Sequence, residues 1–395
     1  MVSTDRGRHV SDGKVPEPRE DSIDLRVFER NVHCVLGVPL DMATMNEVID
    51  RISNAAATRQ RLFISTLNLN FIVLAQKDVS FAKSLIKSDL CLTDGVMVKL
   101  VAKLLGIPVV ERVAGSDILN AIWEAGEIAR KEPLKVFLFG GTKEASKKAA
   151  KAINDHNPDR ICCVGNICPG FGTLEEMSTD AIIDTINIAE PDFIVVALGA
   201  QKGQTWIVQN MIRLDAPVVS HLGATINFLA GTVQRAPTLW QRVGLEWLWR
   251  IKEEPALAGR YWNDALNLLW LLITRILPLS LWLYWNRIQQ QQFSLSLRWA
   301  TGTGGELTVM LTGALTAKDV EVLTGELTRQ SLAKKKLLID CRALKWIDTA
   351  GMGALLMLSE GLQASGGKLE LLGLSSQLNW ALKTNGLEDL ATRHY

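Results

Sequence analysis

The chain has 395 residues, 48% of them apolar and 22% charged, and its formal net charge is +1. This composition predicts two or three folded domains and argues against a nucleic-acid partner, which would normally require a basic excess. The six cysteines lie mostly in apolar runs, and no histidine lies at zinc-ligand spacing from the cluster at 162–168, so we predict reduced core thiols and no metal site. Residues 1–29 are charged and contain proline, which predicts a disordered leader and no signal peptide.

From residue 30 to 237, short apolar runs alternate with amphipathic helical stretches. Such alternation predicts βαβ units and a Rossmann-like α/β domain with a mainly parallel sheet and helices on both faces. In sheets of this kind ligands bind at the carboxyl ends of the strands, so a site is expected in the loops that follow. The predicted strands are Leu62–Thr66, Lys135–Phe139, Ile161–Val164, Phe193–Leu198 and Val218–Leu222.

Tryptophan is concentrated in residues 238–292, where seven of the twelve lie between Trp240 and Trp285. The apolar stretch Leu266–Trp285 is long enough to cross a membrane, but Arg275 at its middle and Pro278 disfavour a span. Aromatic residues near both ends and basic residues upstream favour a helix that lies in the headgroup region. We therefore predict a membrane-associating segment and linker, with a buried core or oligomer helix and a true span as alternatives.

A new pattern begins at residue 293 and continues to 395. It predicts strand, strand, helix, strand, helix, strand and a last helix, which is enough for a small independent α/β domain.

Two polar motifs of the first domain follow apolar runs. Thr66 and Asn68 come directly after a predicted strand, where a hydroxyl and an amide can bind a sugar or phosphate, although both residues are also ordinary helix caps. Asp94-Gly95 precedes a predicted helix. An aspartate there is usually a cap, but it can also direct a carboxylate into a cleft as a general base. Spacing alone favours the cap at both places.

Further motifs are consistent with a diphosphate ligand. Gly140-Gly141 joins a strand to a helix, where backbone amides can approach a pyrophosphate, but a tight turn without a ligand explains the glycines equally well. Lysine and arginine in the stretches 198–204 and 235–250 could offset diphosphate charge without a metal. No DxD-like pair lies in a convincing loop, which disfavours a metal-dependent transferase.

In their order along the chain, these motifs resemble the TagA/WecG/CpsF family of bacterial glycosyltransferases over roughly residues 30–262. The stretch from Arg235 to Pro255 is the most specific part. The motifs that carry the resemblance are Thr66-x-Asn68, Asp94-Gly95, Glu111-Arg112, Gly115-Ser-Asp117, Phe137 to Gly141, Leu198-Gly199, Gly223-Ala, Phe228 to Gly231, Arg235-Ala-Pro237, Gly244 to Trp247, Arg250 and Glu254-Pro255.

The resemblance implies a metal-independent, inverting transfer of a sugar from UDP, with no other cofactor. The sugar is often N-acetylmannosamine, and the acceptor is a sugar on a polyprenyl diphosphate in cell-surface polysaccharide synthesis. The family's base falls on Asp94, and its arginine-rich, apolar C-terminal segment docks on the membrane and completes the site. By the same resemblance, the residues expected to bind donor or substrate are Thr66, Asn68, Arg112, Gly140, Gly141, Gln204, Asn227, Arg235, Arg242 and Arg250. We expect a cytoplasmic homo-oligomer that is peripheral on the inner face of the plasma membrane.

The chain departs from the family pattern at several positions. Thr93 replaces a frequent proline, Gln201–Gln204 replaces Pro-x-Gln-Glu, and Asn227 replaces a usual aspartate. The changes remove two carboxylates that could hold sugar hydroxyls or an arginine, so they put the donor sugar in question. They also leave an alternative function, a catalytically weak or silent membrane-bound scaffold for the C-terminal domain.

The C-terminal pattern resembles a STAS domain from about 294 to 391, through Leu338–Asp340 and Trp346–Leu355 with its Asp-Thr-x-Gly turn. The resemblance implies a regulatory module that binds a protein partner. In phosphoregulated members a Ser or Thr directly after that aspartate is the phosphoacceptor, and Thr349 occupies this position. A phosphate there would add about two negative charges to a docking face expected to be exposed. A domain kept for binding alone, with Thr349 as an unmodified cap, is the alternative.

Overall fold

The computed structural model describes residues 30–124, 132–237, 239–240, 244–289, 293–301, 306–329 and 336–391. The strands are β1 (Val32–Val35), β2 (Val38–Asp41), β3 (Leu62–Leu67), β4 (Leu90–Thr93), β5 (Leu134–Gly140), β6 (Ile161–Ile167), β7 (Phe193–Ala197), β8 (Val218–His221), β9 (Ser296–Thr301), β10 (Leu307–Leu315), β11 (Lys336–Ile347) and β12 (Lys368–Leu372).

The first nine helices belong to the first domain, and the tenth to twelfth follow it in the tryptophan-rich region. They are α1 (Met45–Thr58), α2 (Leu69–Ala75), α3 (Val79–Ile86), α4 (Val96–Leu104), α5 (Gly115–Glu124), α6 (Lys143–His156), α7 (Asp180–Ile188), α8 (Ala200–Asn210), α9 (Thr225–Leu229), α10 (Glu246–Glu253), α11 (Ala258–Leu271) and α12 (Leu277–Gln289). The remaining helices lie in the C-terminal domain and are α13 (Val320–Thr328), α14 (Thr349–Ala364), α15 (Ser376–Thr384) and α16 (Glu388–Ala391).

The first domain is built on a six-stranded sheet in the order β4-β3-β8-β7-β5-β6, in which every neighbouring pair is parallel. The predicted fold class is therefore confirmed. Strand β4 was not among the predicted strands, because four residues at a sheet edge give too little pattern to recognise. Since all six strands run the same way, the ends of β3, β4, β5, β7 and β8 meet at one edge of the sheet.

Both faces of this sheet are covered, because successive residues of each strand point to opposite sides. Leu62 and Ile64 pack with the helices α1, α5, α6 and α9, whereas Phe63 packs with α7 and α8. By the same alternation Ser65 and Thr66 lie on opposite faces of β3. This alternation decides which polar residues can reach a common site.

An antiparallel hairpin, β1–β2, precedes the sheet and was not predicted. Its turn at Leu36-Gly37 has positive φ at both residues, 50° and 85°, as two-residue hairpin turns require. Every residue of both strands is buried. The hairpin is therefore an interior element, and it lies between the first domain and the C-terminal domain.

The C-terminal domain has a four-stranded sheet in the order β12-β11-β10-β9, with β9 antiparallel and the other pairs parallel. Helix α14 is buried along nearly its whole length. Its surroundings include this sheet on one side and the hairpin residues Cys34 to Leu40 in the same apolar core. The C-terminal domain thus packs on the hairpin β1–β2 and shares a core with it.

The tryptophan-rich region forms one helix from Pro255 to Gln289, which is long and apolar enough to cross a membrane by length and composition. One side of this helix packs on the first domain. Asn70 donates to the buried carboxylate of Asp264, and the Ser280 hydroxyl donates to the carbonyl of Leu104 at 2.5 Å.

Arg275 also turns toward the protein. Its guanidinium donates to the Gln76 side chain at 3.0 Å and pairs with Glu388 of the C-terminal domain at 3.2 Å. A π-helical turn at Leu272–Ile276 interrupts the α-helix at this point. The charge that disfavours a span in the sequence therefore ties the helix to both domains.

The opposite side of the same helix is an exposed apolar stripe. Its members recur every three or four residues and thus share one helical face. They are Trp262, Leu266, Leu269, Trp270, Ile273, Leu277, Leu281, Tyr284, Trp285 and Ile288. A continuous exposed stripe of this size is typical of a surface that binds a membrane or another protein.

Candidate active site

Asp94 lies at the carboxyl end of the edge strand β4, beside the end of β3, and its backbone amide donates to the Leu67 carbonyl. The capping position of α4 is occupied by Gly95, which has φ +99°, and α4 has no side-chain cap. The prediction from spacing that Asp94 caps α4 is therefore wrong. Its carboxylate is left for other contacts, and the amide of Gly115 is a hydrogen-bond donor to it.

The surroundings of Asp94 suit a proton acceptor. Its side chain keeps some solvent exposure, but the protein around it desolvates the carboxylate and raises its pKa to about 6. The Arg112 charge opposes this rise, while Glu246 and Asp117 add to it. A carboxyl group with such a pKa is largely ionised near neutral pH and still accepts a proton readily.

Thr66 lies close to this carboxylate. It is buried at the end of β3, and its hydroxyl lies only 3.2 Å from where a side chain on Gly115 would begin. The residue that donates to Asp94 is thus also the one that packs on Thr66. Asn68, two residues further, uses its side-chain oxygen to cap α2 by accepting from the Phe71 amide at 3.1 Å. Both predicted residues are at the edge where Asp94 lies.

Two arginines and two carboxylates form a network beside Asp94. Arg112 pairs with Glu246 at 3.2 Å and lies 3.7 Å from Asp117. Arg235 also pairs with Asp117 and lies 3.4 Å from the Ser116 hydroxyl. The structure therefore brings together Arg112 and Arg235, both of which the sequence predicts, around an acidic residue at the start of α5.

The segment after Gly244 covers the turn that carries Asp94. Gly244 packs so closely on Val96 that a Cβ there would lie 2.9 Å from its side chain. The Trp249 indole donates to the Gln234 carbonyl. Arg250 lies over the Phe228 ring at 5.2 Å and pairs with Glu254 at 2.6 Å. Helix α10 is thus fixed over the site at several points.

Arg235 and Arg250 each keep a free donor. In the part of the chain that the structure describes, the buried Nε atoms of both have no hydrogen-bond partner. A buried N–H without a partner is costly, and an anionic ligand would satisfy it. Arg242 of the same predicted set lies outside the described residues.

Gln204 is placed away from this network. It is fully buried in α8, and its side-chain amide donates to the Ser65 hydroxyl at 2.9 Å, on the face of β3 opposite to Thr66. Ser65 in turn shares a 2.6 Å hydrogen bond with Ser88. The prediction of a donor-binding role for Gln204 is therefore not supported, because its polar atoms hold α8 to the sheet.

The backbone conformation explains the two glycines at the end of β5, Gly140 and Gly141. Gly140 has φ +120°, and a Cβ there would lie 2.3 Å from the Ala197 carbonyl oxygen. Gly141 has φ +70°, and its amide already donates to that same oxygen. The tight turn therefore accounts for both residues, and the Gly141 amide is not free for a phosphate. Asn227, on α9, is half-buried next to the residue Ile226 that packs on Gly141.

The site contains two carboxylates that were quoted in the motifs without a role, Asp117 and Glu246. Each holds an arginine that the sequence predicts, and each raises the pKa of Asp94. Their proximity depends on how α5 and α10 pack, so no local pattern could have assigned them. The sequence signal that could have marked Asp117 and Glu246 as site residues is their place in the ordered family motifs.

Thr349 lies at the start of α14, and its surroundings differ from the prediction. It is 2% exposed, and its hydroxyl is 2.9 Å from Nδ1 of His33 on the hairpin. The expectation of an exposed docking face is therefore wrong, because the hairpin covers it. Whether Thr349 is a phosphoacceptor stays a prediction, and a kinase would need the hairpin to move away first.

The parallel sheet, the carboxylate at its carboxyl edge and the arginines over it define an α/β enzyme of the glycosyltransferase class. A profile of the WecG/TagA/CpsF family of glycosyl transferases matches residues 33–280, and the chain belongs to this family. A second profile, described as Mlab, STAS domain, matches residues 300–392. The protein is a glycosyltransferase with a C-terminal STAS domain.

Similar curated proteins come from Staphylococcus aureus. Those of strains MRSA252 and NCTC 8325 are each named N-acetylglucosaminyldiphosphoundecaprenol N-acetyl-beta-D-mannosaminyltransferase. Each is 26% identical over 218 residues, which are 55% of this chain and 82% of the relative. The similarity therefore covers just over half of this chain and most of each relative.

Proposed function

We propose that this protein transfers a hexose, N-acetylmannosamine or a related sugar, from a UDP-sugar to a polyprenyl-diphosphate-linked acceptor, with inversion and without a metal. The observation that carries this proposal is the position of Asp94. Its carboxylate, with a pKa of about 6, lies at the carboxyl edge of a parallel sheet beside Arg112 and beneath the segment that contains Arg250. The names of the relatives support the choice of sugar and acceptor.

The reaction follows from these positions. An acceptor hydroxyl attacks the anomeric carbon of the donor and gives its proton to the Asp94 carboxylate. The bond between that carbon and the diphosphate oxygen breaks, and UDP leaves with the electron pair. The guanidinium groups of Arg235 and Arg250, with their partner-free Nε donors, would stabilise the charge on the departing diphosphate. One displacement inverts the configuration at the anomeric carbon.

Two of the family departures have a structural explanation outside the site. A Cβ on Gly203 would lie 2.1 Å from the His221 ring, so this helix position needs glycine in this chain. Gln204 holds Ser65, as described above. These observations weaken the alternative of a silent scaffold, since neither change removes a group from the Asp94 network. Asn227 remains the departure that bears on the donor sugar.

The activity is tested with purified full-length protein, a set of UDP-hexoses and a short-chain polyprenyl-diphosphate N-acetylglucosamine acceptor. We expect transfer from UDP-N-acetylmannosamine or a related donor, unchanged by excess EDTA. Thermal unfolding with UDP runs in parallel, because a scaffold should show no shift with UDP. Absence of both transfer and a UDP shift would leave the scaffold as the better account.

We further propose that the helix Pro255–Gln289 lies along the inner surface of the plasma membrane. Its buried side is tied to both domains through Asp264, Ser280 and Arg275, so a span would have to break these contacts inside lipid. Its exposed stripe is apolar and contains four aromatic residues, which suits the headgroup boundary. This placement would bring the transferase site to a lipid-linked acceptor.

Membrane docking is tested by sedimentation with anionic vesicles. The double change Trp270→Glu and Ile273→Glu alters two exposed positions of the stripe and should reduce the bound fraction by about tenfold or more. The control is Ile188→Glu, an even more exposed apolar residue of α7 outside the stripe. If the double variant still binds vesicles and instead changes the oligomeric state, the stripe joins two copies of the chain.

A further inference from the structure

The start of helix α14 is docked on the transferase hairpin at very close range. A Cβ on Gly353 would lie 2.4 Å from the Val32 carbonyl oxygen and 3.2 Å from the Cys34 amide, so the helix and hairpin backbones touch. Thr349 contacts His33 one turn earlier. Burial lowers the pKa of His33 to about 4, so the imidazole is neutral in this contact.

The hairpin turn is held from the same domain by a second element. Asn385, after α15, is fully buried. Its side chain accepts from the Leu36 amide at 2.8 Å and donates to the Cys34 carbonyl at 3.1 Å. Gly37 and Gly386 pack backbone to backbone beside it, with a Cβ on Gly37 only 2.7 Å from the Gly386 oxygen. An amide that satisfies the backbone of a facing turn in this way fixes its position.

The other side of the hairpin holds the strand that carries Asp94. The Asp41 carboxylate accepts from the backbone amide of Cys91 in β4 at 2.7 Å. Arg30 pairs with the same carboxylate at 2.7 Å and donates to the Ser88 carbonyl at 2.7 Å, just before β4 begins. Both side chains are less than a tenth exposed. The Arg30 guanidinium also lies 4.0 Å from the sulfur of Met357 in α14.

We propose that the STAS domain acts on its own chain as a positioning element for the transferase: docked α14 holds the hairpin, and the hairpin holds β4 and thereby Asp94. This inference rests on the proposed function, since it concerns the same base. The physical reason is that α14 packs on the hairpin and that its Met357 lies against the guanidinium of the Arg30–Asp41 pair. Once α14 leaves, water reaches the pair, and its hold on the Cys91 amide and the Ser88 carbonyl weakens. Asp94 is three residues beyond Cys91 and directly follows this strand.

The most direct test is a bulky substitution at the contact between α14 and the hairpin. Gly353→Leu adds a side chain that would collide with the Val32 carbonyl oxygen. The helix itself tolerates leucine better than glycine, so the substitution should not weaken α14. Gly353→Ala is the milder variant, because its Cβ alone is too close. The matched control is Gly325→Leu, a helical glycine of α13 in the same domain with open space around it.

Docking is measured independently of activity by the alkylation rate of Cys34 in the full-length protein, followed by mass spectrometry of its peptide. This thiol is fully buried, and burial raises its pKa to about 12, so it should react slowly in the docked state. Gly353→Leu should raise the rate by about tenfold or more, while Gly325→Leu should match wild type. Unchanged protection of Cys34 in both Gly353 variants would overturn the docking itself.

Turnover is then measured on the same samples, well below their unfolding temperatures. Gly353→Leu should lower kcat by about tenfold, because a small displacement of a catalytic group is costly, with the donor KM changed by less than about twofold. A variant with exposed Cys34 and unchanged kcat would overturn the coupling. An inactive wild type would instead contradict the proposed function, while the Cys34 rates would still decide whether the domains dock.

Discussion

Asp94 and Asp348 occupy equivalent local positions, since each ends a strand and precedes a helix, yet their surroundings differ. Asp348 caps α14 and accepts from the backbone amides of Ala350, Gly351 and Ala317 at 2.9, 2.9 and 3.0 Å. Asp94 does not cap α4, because Gly95 occupies that position. The same sequence feature thus gives a helix cap in one domain and, in the other, a carboxylate that does not cap a helix.

The number of hydrogen-bond donors around each carboxylate separates a helix cap from a general base. Three backbone amides donate to the oxygens of Asp348, so this carboxylate holds the start of the helix and the neighbouring loop in place. Burial raises the pKa of both carboxyl groups, and the difference lies in the donors: one backbone amide, that of Gly115, donates to Asp94, so its carboxylate can still accept a proton. The tertiary environment, and not the local motif, assigns the two roles.

The largest expected effect follows from exchanging each aspartate for its amide. Asp94→Asn should lower turnover by about 10²- to 10⁴-fold, the usual contribution of a general base, with folding and UDP binding near normal. Asp348→Asn should keep turnover per folded molecule and lower the free energy of unfolding by only about 1 kcal/mol, because asparagine still caps α14 and only the contact with the Ala317 amide is lost. Steady-state rates and thermal unfolding of both variants provide the measurement.

Similar behaviour of the two variants would contradict the assignment of different roles to Asp94 and Asp348. Full turnover in Asp94→Asn would remove the base assignment, whatever happens at Asp348. A collapse of turnover in Asp348→Asn without loss of stability would show that the C-terminal cap reaches the active site directly.

A smaller effect is expected in the pH dependence of turnover. The pKa of Asp94 is raised to about 6, so ionisation of its carboxyl group is nearly complete above pH 7. The active, ionised form is lost as the pH falls through 6. The rate should therefore fall about tenfold for each pH unit below the pKa. A plot of log kcat/KM against pH for the wild type measures this limb.

A still smaller effect is expected when a carboxylate near Asp94 is removed. Glu246 in α10 and Glu254, directly after this helix, are compared. The negative charge of Glu246 raises the pKa of Asp94, so Glu246→Gln should lower that pKa and move the acid limb to lower pH. At pH 5 this variant should keep roughly twofold more of its plateau rate than the wild type keeps. Glu254→Gln is the control, since Glu254 pairs with Arg250 and is not among the groups that shift Asp94. An equal shift in both variants would mean that general charge, and not the Arg112 network, sets the limb.

Much of the fold could be predicted from the sequence, because the buried parallel strands produce apolar runs that local pattern detects. Leu62–Leu67 and Val218–His221 are found within one or two residues of their predicted bounds. The hairpin β1–β2 was missed, because its buried strands are only four residues long and their partners come from both domains.

The candidate site was predicted in part. Thr66, Asp94, Arg112 and Arg235 do meet at one edge of the sheet, as their order in the family motifs implied. Gln204 does not join them, because the alternation along β3 turns its partner Ser65 to the other face. A residue list from motifs cannot contain that information, since the face depends on strand register.

The fold class, the order of the two domains and the apolar, tryptophan-rich helix between them follow from periodicity and composition along the chain. Tertiary packing was needed to show that Asp348 caps a helix whereas Asp94 does not, and that Arg275 turns toward the protein. It also decided that the start of α14 is covered by the hairpin. Each of these depends on contacts between residues far apart in sequence, where burial and hydrogen-bond partners are set by packing.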